Sequence, residues 1–340
     1  MKTGFLFQGA TTALAVLFIS AGAAVAEPAK YPTFGKIERL DPALDKLIPA
    51  DAKLEKLAEG FTWSEGPVWI RGGGYLLFSD VPKNTIFKWK EGEGITEFMK
   101  PSGYTGATPR GGEPGSNGLT VDGKGRLVLC EHGDRRIARL EKNGTKTTLA
   151  DRYLGKRFNS PNDLVIKSNG DIYFTDPPYG LEGGNKSPVK ELAHNGVYRV
   201  AKNGDVTLLT SELPYPNGIA FSPDEKTLYV AVSDAKAVWM AYDVKRDGTI
   251  ANGRIFFDAT AKTKKLPGYP DGMKVDKAGN LFATGPGGIL VFNRDGKHLG
   301  TINTGEPTGN CAWGNDGSTL YITANHYLCR IRTSTRAKGF

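Results

Sequence analysis

Apolar and polar residues alternate with a period of two along most of the chain after residue 60, in short runs bounded by Gly, Asn, Asp or Ser. β-Branched and aromatic residues are frequent in these runs, which is typical of strands. Turn sequences such as Asp-Gly-Lys-Gly at 122–125 separate neighbouring runs. The pattern predicts an almost all-β chain, and no stretch shows a convincing amphipathic helix.

One short motif recurs at the start of six of the predicted strands. Its clearest copy is Tyr-Pro-Asp-Gly-Met-Lys-Val-Asp at 269–276, in which a turn pair and an acid precede a glycine and an alternating apolar run. We call the position of that acid the slot. The slot residues in chain order are Glu65, Asn117, Asn162, Asn217, Asp271 and Thr308.

Each motif opens a unit of several strands. The predicted second strands lie at 75–79, 127–130, 172–175, 228–232, 281–284 and 320–323. Self-similarity at about 40 to 55 residues, with four strands per unit, predicts a six-bladed β-propeller. The sixth unit has room for only three strands, so we expect a strand at 53–57 to supply the fourth and close the ring. Two packed β domains are the alternative, but no linker-like change in composition separates them.

The N-terminus has the pattern of a secretory signal peptide. Lys2 gives a positive start, residues 13–25 are apolar and small, and Ala-Val-Ala at 24–26 is a cleavage sequence. We expect residues 1–26 to be the signal peptide, 27–52 an N-terminal leader and 53–335 the propeller domain. The mature protein is then expected to be periplasmic or secreted, without membrane association after cleavage.

The net charge and the cysteine content limit the classes of ligand and metal site that the chain is expected to have. The net charge of +8 comes from Lys and Arg residues interleaved with acids, and no basic block indicates nucleic-acid binding. Cys130, Cys311 and Cys329 lie in apolar strand sequences, so we expect them to be buried as small hydrophobic residues. Their spacing to histidines does not match a zinc site. We expect a monomer or weak oligomer.

The propeller prediction brings the slots together, because the first strand of each blade lines the central channel. Two carboxylates, Glu65 and Asp271, and the amides of Asn162 and Asn217 are then expected at one end of the axis, with Asn117 in or beside this ring. Crowded carboxylates raise one another's pKa unless a cation lies between them. Oxygen donors suit a hard cation, most naturally Ca²⁺, with Mg²⁺ or Mn²⁺ possible and Zn²⁺ less natural. The alternative is that Asn-Gly and Asp-Gly are only repeated turn dipeptides.

Over residues 55–333 the chain resembles the gluconolactonase and regucalcin (senescence marker protein) family of six-bladed propellers. The motifs that carry the resemblance are Ser-Glu-Gly-Pro-Val-Trp (64–69), Asn-Ser-Pro-Asn-Asp-Leu (159–164), Thr-Asp-Pro-Pro-Tyr-Gly-Leu (175–181), Pro-Asn-Gly-Ile-Ala-Phe-Ser (216–222) and Pro-Asp-Gly-Met (270–273).

The resemblance implies a metal-dependent hydrolase that opens a sugar lactone, with Glu65, Asn162, Asn217 and Asp271 as metal ligands and Asp271 also as the catalytic acid/base. Regucalcin-type members carry a substrate-contacting Arg two residues before the Asn162 position. Ser160 stands there in this chain. That contact is therefore not transferred, and specificity for a sugar stays open.

Further polar residues are candidates for binding the lactone at the same mouth. They are Asn117, His132, Asp163, Asp176 and His326. Asp163 is also a second candidate for orienting water. The long connection 177–192 is predicted to cover the mouth.

Other functions of the same site stay open. The enzymatic alternatives are a lactonase for non-sugar rings and a phosphotriesterase. A non-catalytic, Ca²⁺-stabilised binding propeller is the alternative from another functional class.

Overall fold

The computed structural model describes residues 1–4 and 31–339, so most of the predicted signal peptide lies outside the described residues and stays a prediction. The described strands form six antiparallel sheets of four or five strands and one two-stranded hairpin, Arg152–Tyr153 with Lys156–Arg157. The predicted six-bladed propeller is confirmed.

The blades follow the predicted units in chain order. Blade 1 comprises Ser64–Ile70, Tyr75–Asp80, Thr85–Lys90 and Gly94–Met99. Blade 2 comprises Ser116–Val121, Leu127–Glu131, Arg136–Leu140 and Lys146–Ala150. Blade 3 comprises Leu164–Ile166, Ile172–Asp176, Gly196–Val200 and Val206–Thr210. Blade 4 comprises Pro216–Phe221, Thr227–Val232, Val238–Val244 and Ile250–Asp258. Blade 5 comprises Met273–Val275, Leu281–Gly285, Gly288–Phe292 and His298–Asn303. Blade 6 comprises Asn310–Gly314, Thr319–Ala324 and Tyr327–Arg332.

Strands near the N-terminus complete the last two blades. Leu54–Glu59 pairs with the third strand of blade 6, as predicted for ring closure, and Thr33–Phe34 adds to its outer edge. Lys36–Arg39 pairs with the outer strand of blade 5. The segment expected to be only a leader therefore contributes strands to two neighbouring blades, 5 and 6.

Six hydrophobic clusters hold the ring together, one between each pair of neighbouring blades. Trp89 and Tyr321 pack in the cluster between blades 6 and 1, and Phe282 and Trp313 pack in the cluster between blades 5 and 6. The other four clusters join blades 1 and 2, 2 and 3, 3 and 4, and 4 and 5. Burial of apolar surface between flat sheets is the main stabilising contribution in this architecture.

The C-terminal segment crosses the end of the ring opposite the slots. The Thr335 hydroxyl donates to the buried Asp276 carboxylate at 2.7 Å, and Ala337 forms an isolated bridge to the same aspartate. These contacts fasten blade 6 to blade 5 a second time.

Helical structure is sparse in the described chain. The helices are the 3₁₀ segments Pro42–Lys46, Arg71–Gly73 and Gly184–Lys186 and the four-residue α-helix Thr260–Thr263. None of the helices found there is long and apolar enough to cross a membrane. The three cysteines are free and buried, as expected for small hydrophobic residues.

Candidate active site

The slots lie where the first strands of neighbouring blades approach one another most closely. Backbone hydrogen bonds cross directly between blades there, from Gly118 N to Asn162 O at 2.7 Å and from Gly272 N to Gly309 O at 2.8 Å. Hydroxyl groups at the ends of second strands reinforce them, because Ser79 donates to Asn117 O and Thr175 donates to Asn217 O. The repeat therefore fixes the positions of the slot residues through the main chain.

The glycine that follows most slots is required by this close approach. A Cβ on Gly66 would lie 2.0 Å from Asn117 O, and one on Gly218 would lie 2.2 Å from Asp271 O. Both distances are far below contact with a backbone oxygen. Asp163 stands at the equivalent place in blade 3 and sends a side chain where the other slots have none.

A cavity of about 410 Å³ opens above the slots. Its lining residues are Trp63, Glu65, Glu113, Asn117, Asn162, Tyr179, Asn217, Ser233, Gly268, Tyr269, Asp271 and Pro307. Five of the six slot residues therefore converge on one cavity, as the repeat predicts. The sixth, Thr308, does not line it, because its hydroxyl bonds to Thr304 Oγ1 and Glu306 O.

The three slot amides form a continuous hydrogen-bonded chain on the floor of the cavity. Asn117 Nδ2 donates to Asn162 Oδ1 at 2.9 Å, and Asn162 Nδ2 donates to Asn217 Oδ1 at 2.6 Å. Asn217 Nδ2 then donates to Ser233 Oγ. Asn117 Oδ1 is buried and has no hydrogen-bond partner. The chain orients the amides and leaves one oxygen available.

Glu65 is buried and Asp271 is half-buried, and the two slot carboxylates act on each other electrostatically. Burial, the strongest influence, raises the pKa of Glu65 to about 8, and the negative charges of Asp163 and Glu113 add to the increase. Burial and the charge of Glu65 raise the pKa of Asp271 well above the usual range of an aspartate. Removal of negative charge, by protonation or by a bound cation, therefore stabilises this pair.

The donor chemistry fits a hard divalent cation. The ring offers the carboxylates of Glu65 and Asp271, the amides of Asn162 and Asn217, and the unpaired Asn117 Oδ1. In the described chain no three or more His, Cys, Asp and Glu side chains are grouped so that they could hold a metal. Amide oxygens make up the rest of this donor set, which is suited to Ca²⁺ or Mg²⁺.

The predicted substrate contacts divide into two groups. Asn117 lines the cavity, and His132 lies directly behind it, with Nε2 3.1 Å from Asn162 Oδ1. Asp163, Asp176 and His326 are absent from the described cavity lining.

The polar groups of those three residues are used elsewhere. Asp163 accepts from the backbone of Leu164 and Asp176 accepts from the backbone of Ser160, while His326 Nδ1 lies 2.8 Å from Phe61 O. A position at or after the end of a second strand is therefore not enough to predict from the sequence whether a polar side chain faces the cavity or holds a neighbouring loop.

The predicted cover, residues 177–192, contributes Tyr179 to the cavity wall. A second loop joins it: Arg110 donates to Gly180 O, and Gly111 N donates to Glu182 Oε1 at 3.1 Å. That second loop, between blades 1 and 2, also supplies Glu113. Glu113 and Ser233 were not singled out from the sequence, since they lie in connections outside the repeated motif. Tyr269 begins the clearest copy of the motif but was given no role in binding.

Comparison with known proteins identifies the family. The sequence model of the SMP-30/gluconolactonase/LRE-like region matches residues 63–326. A gluconolactonase of Zymomonas mobilis is 43% identical over 312 residues, covering 89% of this chain and 87% of the relative. The pentonolactonase XacC of Haloferax volcanii is 27% identical and covers 76% of this chain and 80% of that protein.

Solved structures give the same result. A gluconolactonase of Xanthomonas campestris superposes with a TM-score of 0.78 at 34% identity, covering 91% of this chain and 99% of that chain. A calcium-binding regucalcin of Agrobacterium tumefaciens superposes with a TM-score of 0.66 over 91% of this chain and 96% of that one. At 18% identity, that second likeness shows the fold alone.

Proposed function

The chain belongs to the SMP-30/gluconolactonase/LRE-like family, and from that premise we propose that it is a metal-dependent lactonase acting on a sugar lactone such as glucono-1,5-lactone. One observation carries the proposal: two carboxylates with raised pKa values and three linked amides form the floor of one cavity. The cavity volume lies in the range typical of small-molecule sites.

Glu65, Asn162, Asn217 and Asp271 would hold the cation, for which Ca²⁺ is our first choice. A divalent cation supplies Lewis-acid polarisation of the lactone carbonyl and stabilises negative charge on its oxygen. Asn117 and Ser233 keep the amides oriented for this purpose through the hydrogen bonds of the floor. Tyr179 and Tyr269 form part of the wall.

Asp271 is the proposed proton carrier. It accepts a proton from water as the water oxygen bonds to the carbonyl carbon, and it returns that proton to the ring oxygen as the acyl C–O bond breaks. The product is the open-chain hydroxy acid, with no other reactant consumed. The bound cation would keep Asp271 ionised, and an ionised carboxylate is the form that can accept the proton.

Two features favour lactone hydrolysis over the alternatives. The curated relatives named above are a gluconolactonase and a pentonolactonase. A purely structural cation does not require an open cavity beside its ligands, and here the ring residues themselves line the cavity. A phosphotriesterase would use the same floor and differs only in the wall that meets the substrate.

A substrate panel tests the proposal. The purified protein is assayed with glucono-1,5-lactone, with δ-valerolactone as an unsubstituted ring, and with a neutral phosphotriester. We expect the highest kcat/KM for the sugar lactone. Phosphotriester turnover alone would move the assignment to that class, and a rise in melting temperature with Ca²⁺ but no turnover of any compound would support the binding propeller.

A further inference from the structure

Glu113 is a carboxylate of the cavity wall that belongs neither to the repeat nor to the proposed ligand set. It lines the cavity, and one third of its side chain is exposed. The ion-pair contact recorded for its carboxylate is with His132, whose Nδ1 lies 3.5 Å from Oε2, which leaves Oε1 outside that contact. An ionised carboxylate accepts hydrogen bonds at both oxygens and donates none. Glu113 therefore offers its accepting capacity to whatever occupies the cavity.

The backbone around Glu113 is fixed on both sides. After it, Gly133 N donates to Pro114 O at 3.1 Å and Gly115 N donates to Val81 O at 2.9 Å. Before it, Gly112 adopts φ +73°, a turn conformation that favours glycine, and Gly111 N is held by Glu182. Glu113 is thus presented by a restrained loop, as a specificity residue requires.

A buried histidine lies behind Glu113. His132 is fully buried, and its Nε2 is 3.1 Å from Asn162 Oδ1 on the cavity floor. Its other ring nitrogen, Nδ1, is buried without a hydrogen-bond partner and lies 3.5 Å from Glu113 Oε2. His132 therefore lies between the wall carboxylate and the floor, with one ring nitrogen near each.

The rest of the wall indicates what Glu113 would bind. Among the described lining residues there is no Lys or Arg, while three carboxylates are present. An anionic ligand such as a phosphorylated lactone would be repelled. Trp63, Tyr179 and Tyr269 add aromatic surface for the carbon face of a ring. A neutral ring that carries several hydroxyl groups satisfies the carboxylate and the aromatic surface together.

We propose that Glu113, presented by its restrained loop, is the specificity residue that accepts hydrogen bonds from the ring hydroxyls of a neutral polyhydroxylated lactone. This inference rests on the proposed lactonase function and deepens it. Hydrogen bonds to a charged group are among the stronger ones. Their loss is expected to reduce kcat/KM for a hydroxylated lactone about 10- to 100-fold.

The test compares two rings that share the ester and differ in hydroxyl groups, glucono-1,5-lactone and δ-valerolactone. Glu113→Ala and Glu113→Gln are measured beside the wild type, and Glu97→Gln is the matched control because Glu97 is exposed on the outer strand of blade 1 and lies outside the described lining. We expect both Glu113 variants to lower the ratio of the two kcat/KM values at least tenfold, with most of the change in KM. The control is expected to leave the ratio unaltered.

Calorimetric Ca²⁺ binding separates specificity from a role in the ring. We expect Ca²⁺ affinity in Glu113→Ala to stay within about threefold of the wild type, whereas loss of even an outer-shell partner of a metal ligand typically costs about tenfold or more. An equal loss on both lactones, an unchanged ratio, or a tenfold loss of Ca²⁺ affinity would overturn the assignment of Glu113 while leaving the lactonase proposal intact. A wild type that hydrolyses neither lactone would overturn both.

Discussion

Substitution of Gly309 by alanine is a sharp test of the ring, because it moves one proposed ligand without touching its chemistry. The new Cβ would lie 2.4 Å from Glu65 Oε1 and 3.2 Å from Ser64 O. The first contact is with the end of a side chain that can rotate. The carboxylate must retreat by about 1 Å to reach ordinary van der Waals separation.

A displacement of that size is large for a catalytic site and small for a fold. Misplacement by about 1 Å can cost about 100-fold in rate, so we expect kcat/KM for glucono-1,5-lactone to fall by roughly that factor. Overpacking costs typically about 1–3 kcal/mol. The lower end applies here, because a flexible chain end yields, and the melting temperature should fall by about 2–4 °C.

Two glycine variants bracket this result. Gly123→Ala is the control, since a Cβ there meets nothing within 4 Å. Gly218→Ala should prevent folding, because its Cβ would lie 2.2 Å from the backbone oxygen of Asp271. The assays are steady-state hydrolysis, Ca²⁺ calorimetry and thermal unfolding. Wild-type kcat/KM and Ca²⁺ affinity in a folded Gly309→Ala protein would refute the placement of Glu65 in the ring.

Three further predictions concern single side chains. Asp271→Asn should lower kcat/KM by about 10²–10⁴-fold, as measured by steady-state kinetics. The same variant should have a higher melting temperature in excess chelator, because burial and the charge of Glu65 raise the pKa of the native carboxyl. A lower melting temperature, measured by calorimetry, would contradict the repulsion between the two carboxylates. Burial lowers the pKa of His298 to about 4, so the folded state keeps this imidazole ring neutral. The folded state therefore loses stability as the pH falls from about 6.5 towards 4, where the unfolded chain binds the proton. His298→Gln should flatten this part of the pH dependence of the melting temperature. Thr335→Val removes the 2.7 Å hydrogen bond to buried Asp276 and should lower the free energy of unfolding, measured with denaturant, by about 1–3 kcal/mol. Because Thr335 lies at the end of the ring opposite the slots, kcat/KM should be unaltered.

Most of the fold could be predicted because each repeat has local sequence signals for its strands and turns. Period-two runs and turn dipeptides located the second strands within one or two residues, and the shortage of strands in the sixth unit pointed to the closing strand Leu54–Glu59. The strand Lys36–Arg39 was missed. It is an edge strand of only four residues, and its pairing with blade 5 depends on a distant surface that local sequence does not encode.

The site was predictable only where the repeat controls it. The slots converge because the main chain of each first strand is equivalent, and the glycines after them record the close approach of neighbouring blades. Glu113 lies in an irregular loop, and its place at the cavity follows from long-range contacts such as Gly115 N to Val81 O. Asp176 has the same strand-end position as a site residue but holds the backbone of Ser160.

Chelation and metal reconstitution of lactone hydrolysis test the central claim most directly. The purified protein is treated with EDTA, dialysed, and assayed on glucono-1,5-lactone while Ca²⁺, Mg²⁺, Mn²⁺ or Zn²⁺ is added back. We predict that chelation abolishes hydrolysis and that Ca²⁺ restores it with one bound ion per chain, which Asp271→Asn binds weakly. Hydrolysis that continues unchanged in EDTA would contradict the metal-dependent ring.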